Sequence, residues 1–315
     1  MRAMRSEGAA GARGFGRGSE SPTGEHRFVR QLLAFRRGGL RARPVFSFKL
    51  ESAAVRSDHR APLLARRLFT PGLFSVTFSA PSLASTIRPG QFVMLEVPGR
   101  VRPYLRRAYS VADARADTGQ VELLVRTIGA GTAALEELIE GSEVRLLGPL
   151  GNGFGIDGLA DGARVAVVAG GIGAAPFPLL LRALDKRAVA ADFFFGGRGK
   201  SDLALLDRFE GHVSGETFLS TDDGSAGERG RVTDLFRRRT QAGRYARLYA
   251  CGPMPMFAAL APIVAGLRLP SEFSTESEMG CGFGACLGCV IPGIEKPFII
   301  SCTEGPILPP EKVKW

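Results

Sequence analysis

Histidine and tryptophan are nearly missing from this chain: 315 residues hold three of the first and one of the second. His26, His59 and His212 are scattered, so no acid–base or nucleophilic constellation can be assembled around them. A long hydrophobic run is also lacking. The longest, Val165 to Leu181, is 17 residues and is broken by Gly170, Gly171, Gly173, Pro176 and Pro178. That is short of the roughly 20 apolar residues a membrane helix needs, and a secretory leader with an apolar centre is absent too. A disulfide framework is excluded by number, because four of the five cysteines crowd into one motif and only Cys251 is left. Such usage suits a reducing, cytoplasmic compartment.

What the chain has is an uneven charge. Residues 1–62 carry 13 Lys+Arg against 5 Asp+Glu, leaving 28 and 26 for the rest, so the net +10 belongs to a tail and the body is almost neutral. The Arg/Gly/Ala-rich tail shows no sustained periodicity and reads as a disordered arm or as upstream sequence translated from an early start codon.

The chemistry concentrates near the other end. Cys281, Cys286, Cys289 and Cys302 follow C-x4-C-x2-C-x12-C, a short-loop spacing by which four thiolates hold a 2Fe–2S cluster. Gly282, Gly284 and Gly288 let the loop curl around one point and turn backbone N–H groups toward sulfur. Pro292-Gly293 reads as the turn of a hairpin that brings Cys302 back. Four thiolates also suit structural zinc, although zinc ribbons pair C-x2-C with C-x2-C.

Between tail and cluster the texture changes twice. Residues 63–160 hold short alternating strands, Phe74–Phe78, Gln91–Val97, Ala108–Ala112, Val121–Arg126 and Glu143–Leu147, which predict a small antiparallel barrel. One helix interrupts them, with Thr132 as its expected cap. Residues 161–270 alternate apolar strands with helices, one of them expected from Asp202 to Phe209, and predict a parallel α/β sheet. The cluster segment is expected over 271–315.

Gly170-Gly-Ile-Gly173 sits between a buried strand and a helix, where glycines admit a diphosphate to the helix N-terminus. It is not the G-x-G-x-x-G spacing. Cys251-Gly252-Pro253 ends a later strand, so Cys251 either faces the ligand crevice at the strand ends or is a small buried thiol. In the barrel, Arg107 could hold a phosphate, Tyr109 could stack on a ring and Ser110 could bond to either. Gly129-Ala-Gly131-Thr132 is a second candidate anion cradle.

In order, Arg107-x-Tyr109-Ser110, Gly131-Thr132, Gly170-Gly-Ile-Gly173 and Cys251-Gly-Pro253 resemble the ferredoxin reductase family. Gly148-Pro-Leu-Gly-Asn-Gly-Phe154, Thr221-Asp-Asp-Gly-Ser225, the stretch from Glu276 through Cys289, and Ser301-Cys-Thr-Glu-Gly-Pro306 narrow it. Over about residues 63–310 the chain resembles the electron-transfer subunits of dihydroorotate dehydrogenase B. One departure is Ala108-Tyr109 before the serine, where many of those relatives have proline and an aliphatic residue. The resemblance implies FAD contacts at Arg107, Ala108, Tyr109, Ser110, Leu124, Val125, Arg126, Gly131 and Thr132. It implies NADH at Gly170, Gly171, Gly173, Cys251, Gly252 and Pro253, with Asp222 nearby and Cys251 at the nicotinamide.

The expected chemistry is hydride exchange between NADH and FAD, then one-electron steps through the cluster. Electrons would pass to or from the FMN of a separate dihydroorotate dehydrogenase catalytic subunit, in a heterotetramer, without nucleic acid or membrane. Competing readings are a reductase subunit for a hydrogenase, an oxygenase or a ferredoxin, and a zinc-stabilised binding module whose basic arm meets nucleic acid. Arg198 and Lys200, which follow the second strand of the sheet, leave NADH and NADPH both open.

Overall fold

The computed structural model describes residues 56–97, 104–209 and 211–315, all inside one compact unit that spans Ala54–Trp315. The tail expected over 1–62 lies outside these residues up to position 55, and so does His26. The rest of that expectation is corrected: the first strand, β1, is Ser57–Thr70, and Ser57–Pro62 pair with residues 143–148. Its inward residues are few (only Ala61 and Leu63 are buried), so the arginines and histidine between them give the look of a tail.

Six strands close a barrel in the order β1-β2-β5-β4-β3-β6. They are β1, β2 (Leu73–Ser79), β3 (Phe92–Glu96), β4 (Arg107–Arg115), β5 (Gln120–Arg126) and β6 (Glu143–Leu150). Alternation along them sends Phe74, Val76 and Phe78 of β2 and Val121, Leu123 and Val125 of β5 into one core. Two short helices sit on its rim, α1 (Pro81–Ala84) and α2 (Ala130–Glu136).

The second half is a seven-stranded sheet in the order β10-β9-β8-β7-β11-β12-β15. Its strands are β7 (Arg164–Gly170), β8 (Ala190–Gly197), β9 (Thr217–Thr221), β10 (Glu228–Arg229), β11 (Arg247–Cys251), β12 (Ser271–Ser274) and β15 (Ile307–Leu308). All pairings are parallel except β12 with β15. Helices α3 (Phe177–Asp185), α4 (Val232–Arg239) and α5 (Met254–Gly266) cover its faces. Because neighbours on a strand point to opposite faces, Phe193 and Phe195 pack with Phe209 on one side while Phe194 meets Phe218 and Phe236 on the other. All of these rings but the half-buried Phe218 are fully buried, worth about 1.5–3 kcal/mol each.

Two further expectations change. The helix expected over 202–209 starts two residues earlier and is of the 3-10 type, Lys200–Arg208. The boundary at 270/271 does not hold either, since β12 and β15, both placed in the cluster segment, are strands of the nucleotide-type sheet. The remainder of that segment carries the hairpin β13 (Val290–Pro292) and β14 (Phe298–Ile300), then a single turn, α6 (Ser301–Glu304). Among the described residues no helix is long and apolar enough to cross a membrane.

Candidate functional site

The four cysteines fall into two pairs. Cys286 N–H approaches Cys281 Sγ at 3.4 Å, and Cys302 N–H approaches Cys289 Sγ at 3.4 Å. Among the described residues no three His, Cys, Asp or Glu side chains converge on a point that one ion would occupy. Four cysteines on one loop and its return, with amides aimed at their sulfurs, are the donor set a 2Fe–2S cluster takes. Burial raises the Cys281 thiol, yet the N–H groups of Phe283, Cys286 and Ala285 outweigh it and bring the pKa down to about 6. Amides converging on a sulfur are the donors a thiolate ligand needs. Cys302 behaves oppositely: burial first, then the neighbouring Cys289, push its thiol up to about 12. The loop owes its path to Gly282, whose φ of +81° and place against Met94 leave no room for a side chain.

The inner thiol pair is packed on the barrel. Cys289 and Cys302 share one apolar cluster with Phe92, Met94 and Leu150, against which Ala108 of β4 also packs. Met94 stands opposite Ala108 in the β3–β4 ladder. Cys286 is exposed. One end of the thiol set therefore touches the barrel strand that carries the expected flavin residues, and the other meets solvent.

That strand lines an open seam. The β4–β5 ladder ends at Val111 opposite Leu123. Beyond it, Arg107–Ser110 pair with β3 and Leu124–Arg126 pair with β2, but not with each other. The slot between them is edged by half-buried Arg107, Ala108, Tyr109 and Ser110 and by the backbone of Leu124 and Val125, whose side chains are in the core. Desolvation pushes the Tyr109 phenol up to about 12, so it is neutral at physiological pH and suited to lie against a flat ring. Arg106, in contrast, is occupied by Asp58 at 2.7 Å and Glu96 at 2.9 Å and serves the barrel. Thr132 is not the cap that the sequence suggests. Gly129 holds that position, and Thr132 Oγ1 reaches back to accept from Ile128 N and Gly129 N at 2.9 and 3.2 Å. Of the expected cradle at Gly129–Thr132, the Gly129 amide is thus already bonded.

The third site is a crevice of about 480 Å³ at the carboxyl ends of the parallel strands. Gly170, Gly171 and Gly173 line it with Gly252, Pro253 and Asp222, as the sequence suggests. A Cβ on Gly173 would lie 2.5 Å from the carbonyl oxygen of Cys251, so the β7 turn and the β11 turn touch backbone to backbone. Cys251 is not on the lining; it is 2% exposed, and burial holds its thiol well above the usual range. Arg126, expected beside the flavin, lines this crevice together with Arg198, Asp202, Arg231, Thr233, Met256 and Glu276. Most of these were missed. Asp202 lies at the start of the 3-10 helix, Glu276 lies just after β12, Arg198 follows β8, Arg231 precedes α4 and Arg126 ends β5, so each of these charges stands at an element end.

A barrel opened between β4 and β5, a glycine-lined crevice at the strand ends and a four-cysteine loop define an iron–sulfur flavoprotein that exchanges electrons with a nicotinamide nucleotide. When bound, FAD and the cluster would supply hydride chemistry and one-electron transfer, and these are the residues expected to hold them. Comparison with known proteins agrees. Residues 70–154 match the oxidoreductase FAD-binding domain, 167–261 the oxidoreductase NAD-binding domain, and 276–314 the iron–sulfur cluster binding domain of dihydroorotate dehydrogenase B. An NADH-dependent reduced ferredoxin–NADP oxidoreductase superposes with a TM-score of 0.73 at 26% identity, over 82% of this chain and 90% of the other. The ferredoxin reductase of carbazole 1,9a-dioxygenase shares the fold, with a TM-score of 0.61 at 24% identity over 69% of each chain.

The curated relatives are more specific. The dihydroorotate dehydrogenase B (NAD(+)) electron transfer subunit of Bacillus caldolyticus is 38% identical over 79% of this chain and 95% of its own length. That of Desulforamulus reducens is 35% identical, over 81% and 97%. The chain belongs to the family of dihydroorotate dehydrogenase B electron transfer subunits.

Proposed function

We propose that this chain carries electrons between NAD(H) and a separate FMN-containing subunit that oxidises dihydroorotate to orotate, a step of pyrimidine biosynthesis, within a heterotetramer. The relatives' name specifies NAD(+), which sets the direction. Dihydroorotate would lose two electrons and two protons; the electrons would pass through the cluster one at a time and reach NAD+ with one proton as hydride, the other proton being released to solvent. The observation that carries this reading is the shared apolar packing of Cys289 and Cys302 with Met94 and Ala108, which puts the cluster against the flavin strand.

The outer end supports a partner. Phe283 and Leu287 stand 44% and 58% exposed beside Cys286, and Phe298 on the neighbouring hairpin is 61% exposed. Exposed apolar groups of this size around a redox centre favour a covered face. Burial of this rim in a complex would also exclude water from the point of electron entry.

Co-expression with a dihydroorotate dehydrogenase catalytic subunit tests the reading. The expected result is a stable complex in which dihydroorotate reduces NAD+. A flavin- and cluster-loaded chain that forms no complex, yet oxidises NADH with a dye, would point instead to another acceptor.

A further inference from the structure

The boundary between barrel and sheet is crossed by arginine–carboxylate pairs: Arg182–Asp113 at 2.6 Å, Arg67–Asp207 at 3.4 Å, Arg208–Glu122, and Arg126–Asp202 at 2.8 Å. Only the last has its residues on the wall of the nucleotide crevice. Arg126 is the final residue of β5 and comes from the flavin barrel, whereas Asp202 belongs to the sheet half. The Asp202 side chain is only 9% exposed, and its second oxygen accepts from Arg198 N at 2.9 Å. Although Asp202 Oδ1 is so near, Arg126 Nη2 is buried and directs no hydrogen bond at any protein atom. A guanidinium held by charge on the crevice wall, with its side chain still 27% exposed, is arranged for an anion outside the protein.

We propose that Asp202 is a positioning residue for the nicotinamide nucleotide, holding the Arg126 guanidinium across the domain boundary so that it meets the diphosphate seated at the Gly170–Gly173 turn. The proposal rests on the nucleotide reading of that crevice and adds to it the barrel's own contribution. Arginine has a long, flexible stem, and fixing it before binding removes an ordering cost of about 0.5–1.5 kcal/mol, equivalent to roughly 2- to 12-fold in affinity. The opposing effect is also real: a carboxylate beside the guanidinium lowers the positive potential felt by a phosphate. Asp202 is nearly buried and already anchored by Arg198 N, so the orienting effect is expected to win.

The test uses the flavin- and cluster-loaded protein and titrates ADP against adenosine, which lacks the diphosphate. Arg126→Ala is expected to weaken ADP on the order of 10- to 100-fold, as for loss of a charged hydrogen bond, and to leave adenosine unchanged. Asp202→Asn is expected to raise KM for NADH about 3- to 10-fold in dye reduction, with kcat at saturation unchanged. Asp202→Glu keeps the charge but moves it, and is expected to raise KM as well. In the Arg126→Ala background, Asp202→Asn should add no further loss, while Glu122→Gln, which opens a pair outside the crevice, should leave KM as it was. Tighter ADP binding by Asp202→Asn, an unchanged KM in both Asp202 variants, or an equal loss with and without Arg126 would each overturn the proposal. Gly173→Ala separates the two levels. If it weakens ADP while the Asp202 variants do not, the crevice stands and the positioning role falls; if nothing in the crevice alters ADP binding, both fall.

Discussion

Gly282→Ala is the most direct way to ask whether the cluster loop is built as described. The residue sits at φ +81°, where an L-residue costs roughly 1–2 kcal/mol. An added Cβ would also lie 2.5 Å from Met94 Cγ, 2.9 Å from its sulfur and 3.1 Å from Leu150 Cδ1. Met94 is fully buried and Leu150 nearly so, so neither can swing away freely, and overpacking of this kind costs about 1–3 kcal/mol more. The sum, about 2–5 kcal/mol, falls on a short loop whose shape depends on the metal it binds, so the loop should lift off the barrel. Iron and acid-labile sulfide per chain should drop several-fold while FAD content holds, because the β4–β5 seam does not depend on Gly282.

Gly288→Ala is the matched control. Its Cβ would lie 3.6 Å from Cys286 Sγ, an ordinary contact, and its φ is not positive. Iron, sulfide and flavin should all be retained. A Gly282→Ala protein with full iron and sulfide would refute the packing of this loop on Met94, and so would equal damage from the two substitutions.

Cys286→Ser should abolish the paramagnetic signal of the dithionite-reduced protein and leave flavin bound; loss of flavin too would mean the two sites are not separate. Arg107→Ala should weaken FAD by roughly 1.5–3 kcal/mol if it bonds a phosphate, read as flavin release on dilution, and unchanged retention would remove it from the seam. Asp58 gives a pH prediction. Its hydrogen bond from Arg106, aided by Arg145, holds the carboxyl below its ordinary value. A depressed folded pKa gives stability that is present above the unfolded value of about 3.9 and lost as pH falls through the lower folded one. Because Asp58 is 34% exposed, the contribution is below about 1 kcal/mol, and Asp58→Asn should flatten the acid limb of the melting-temperature profile without moving the plateau by more than that.

How far the sequence could be read follows from how local each signal is. The cluster ligands lie on one loop and one return, so their spacing alone announces them, and the glycines of the β7 turn announce the crevice in the same way. β1 was hidden because Asp58 and Arg60 are strand residues partnered by Arg106, Arg145 and Glu143, all far away in sequence. β15 is two residues long, and only its pairing with β12 makes it a strand. Asp192 looks like the polar start of an apolar strand; in the fold it is completely buried and receives Arg164, Arg244, Tyr245 and the Glu216 amide. Arg126 is an expected flavin contact by resemblance alone; its place on the crevice wall beside Asp202 is a strand-end contact across to the sheet, which leaves no periodic trace.

The thiol set is asymmetric, and that asymmetry fixes the order of events. Cys289 and Cys302 are 2% and 1% exposed and share their apolar surroundings with Ala108, so the half of the cluster they hold is the half nearest the flavin seam. Cys281 and Cys286 lie toward solvent, with loop amides gathered on the Cys281 sulfur. Hydrogen bonds to sulfur and solvent exposure both favour added negative charge, so a cluster held here would take up an electron more readily on the side of Cys281 and Cys286. The exposed rim proposed as a partner face lies on that same side. Covering that face removes the water that helps hold the electron there, and this makes its onward passage to the buried side easier in the assembled complex than in the isolated chain.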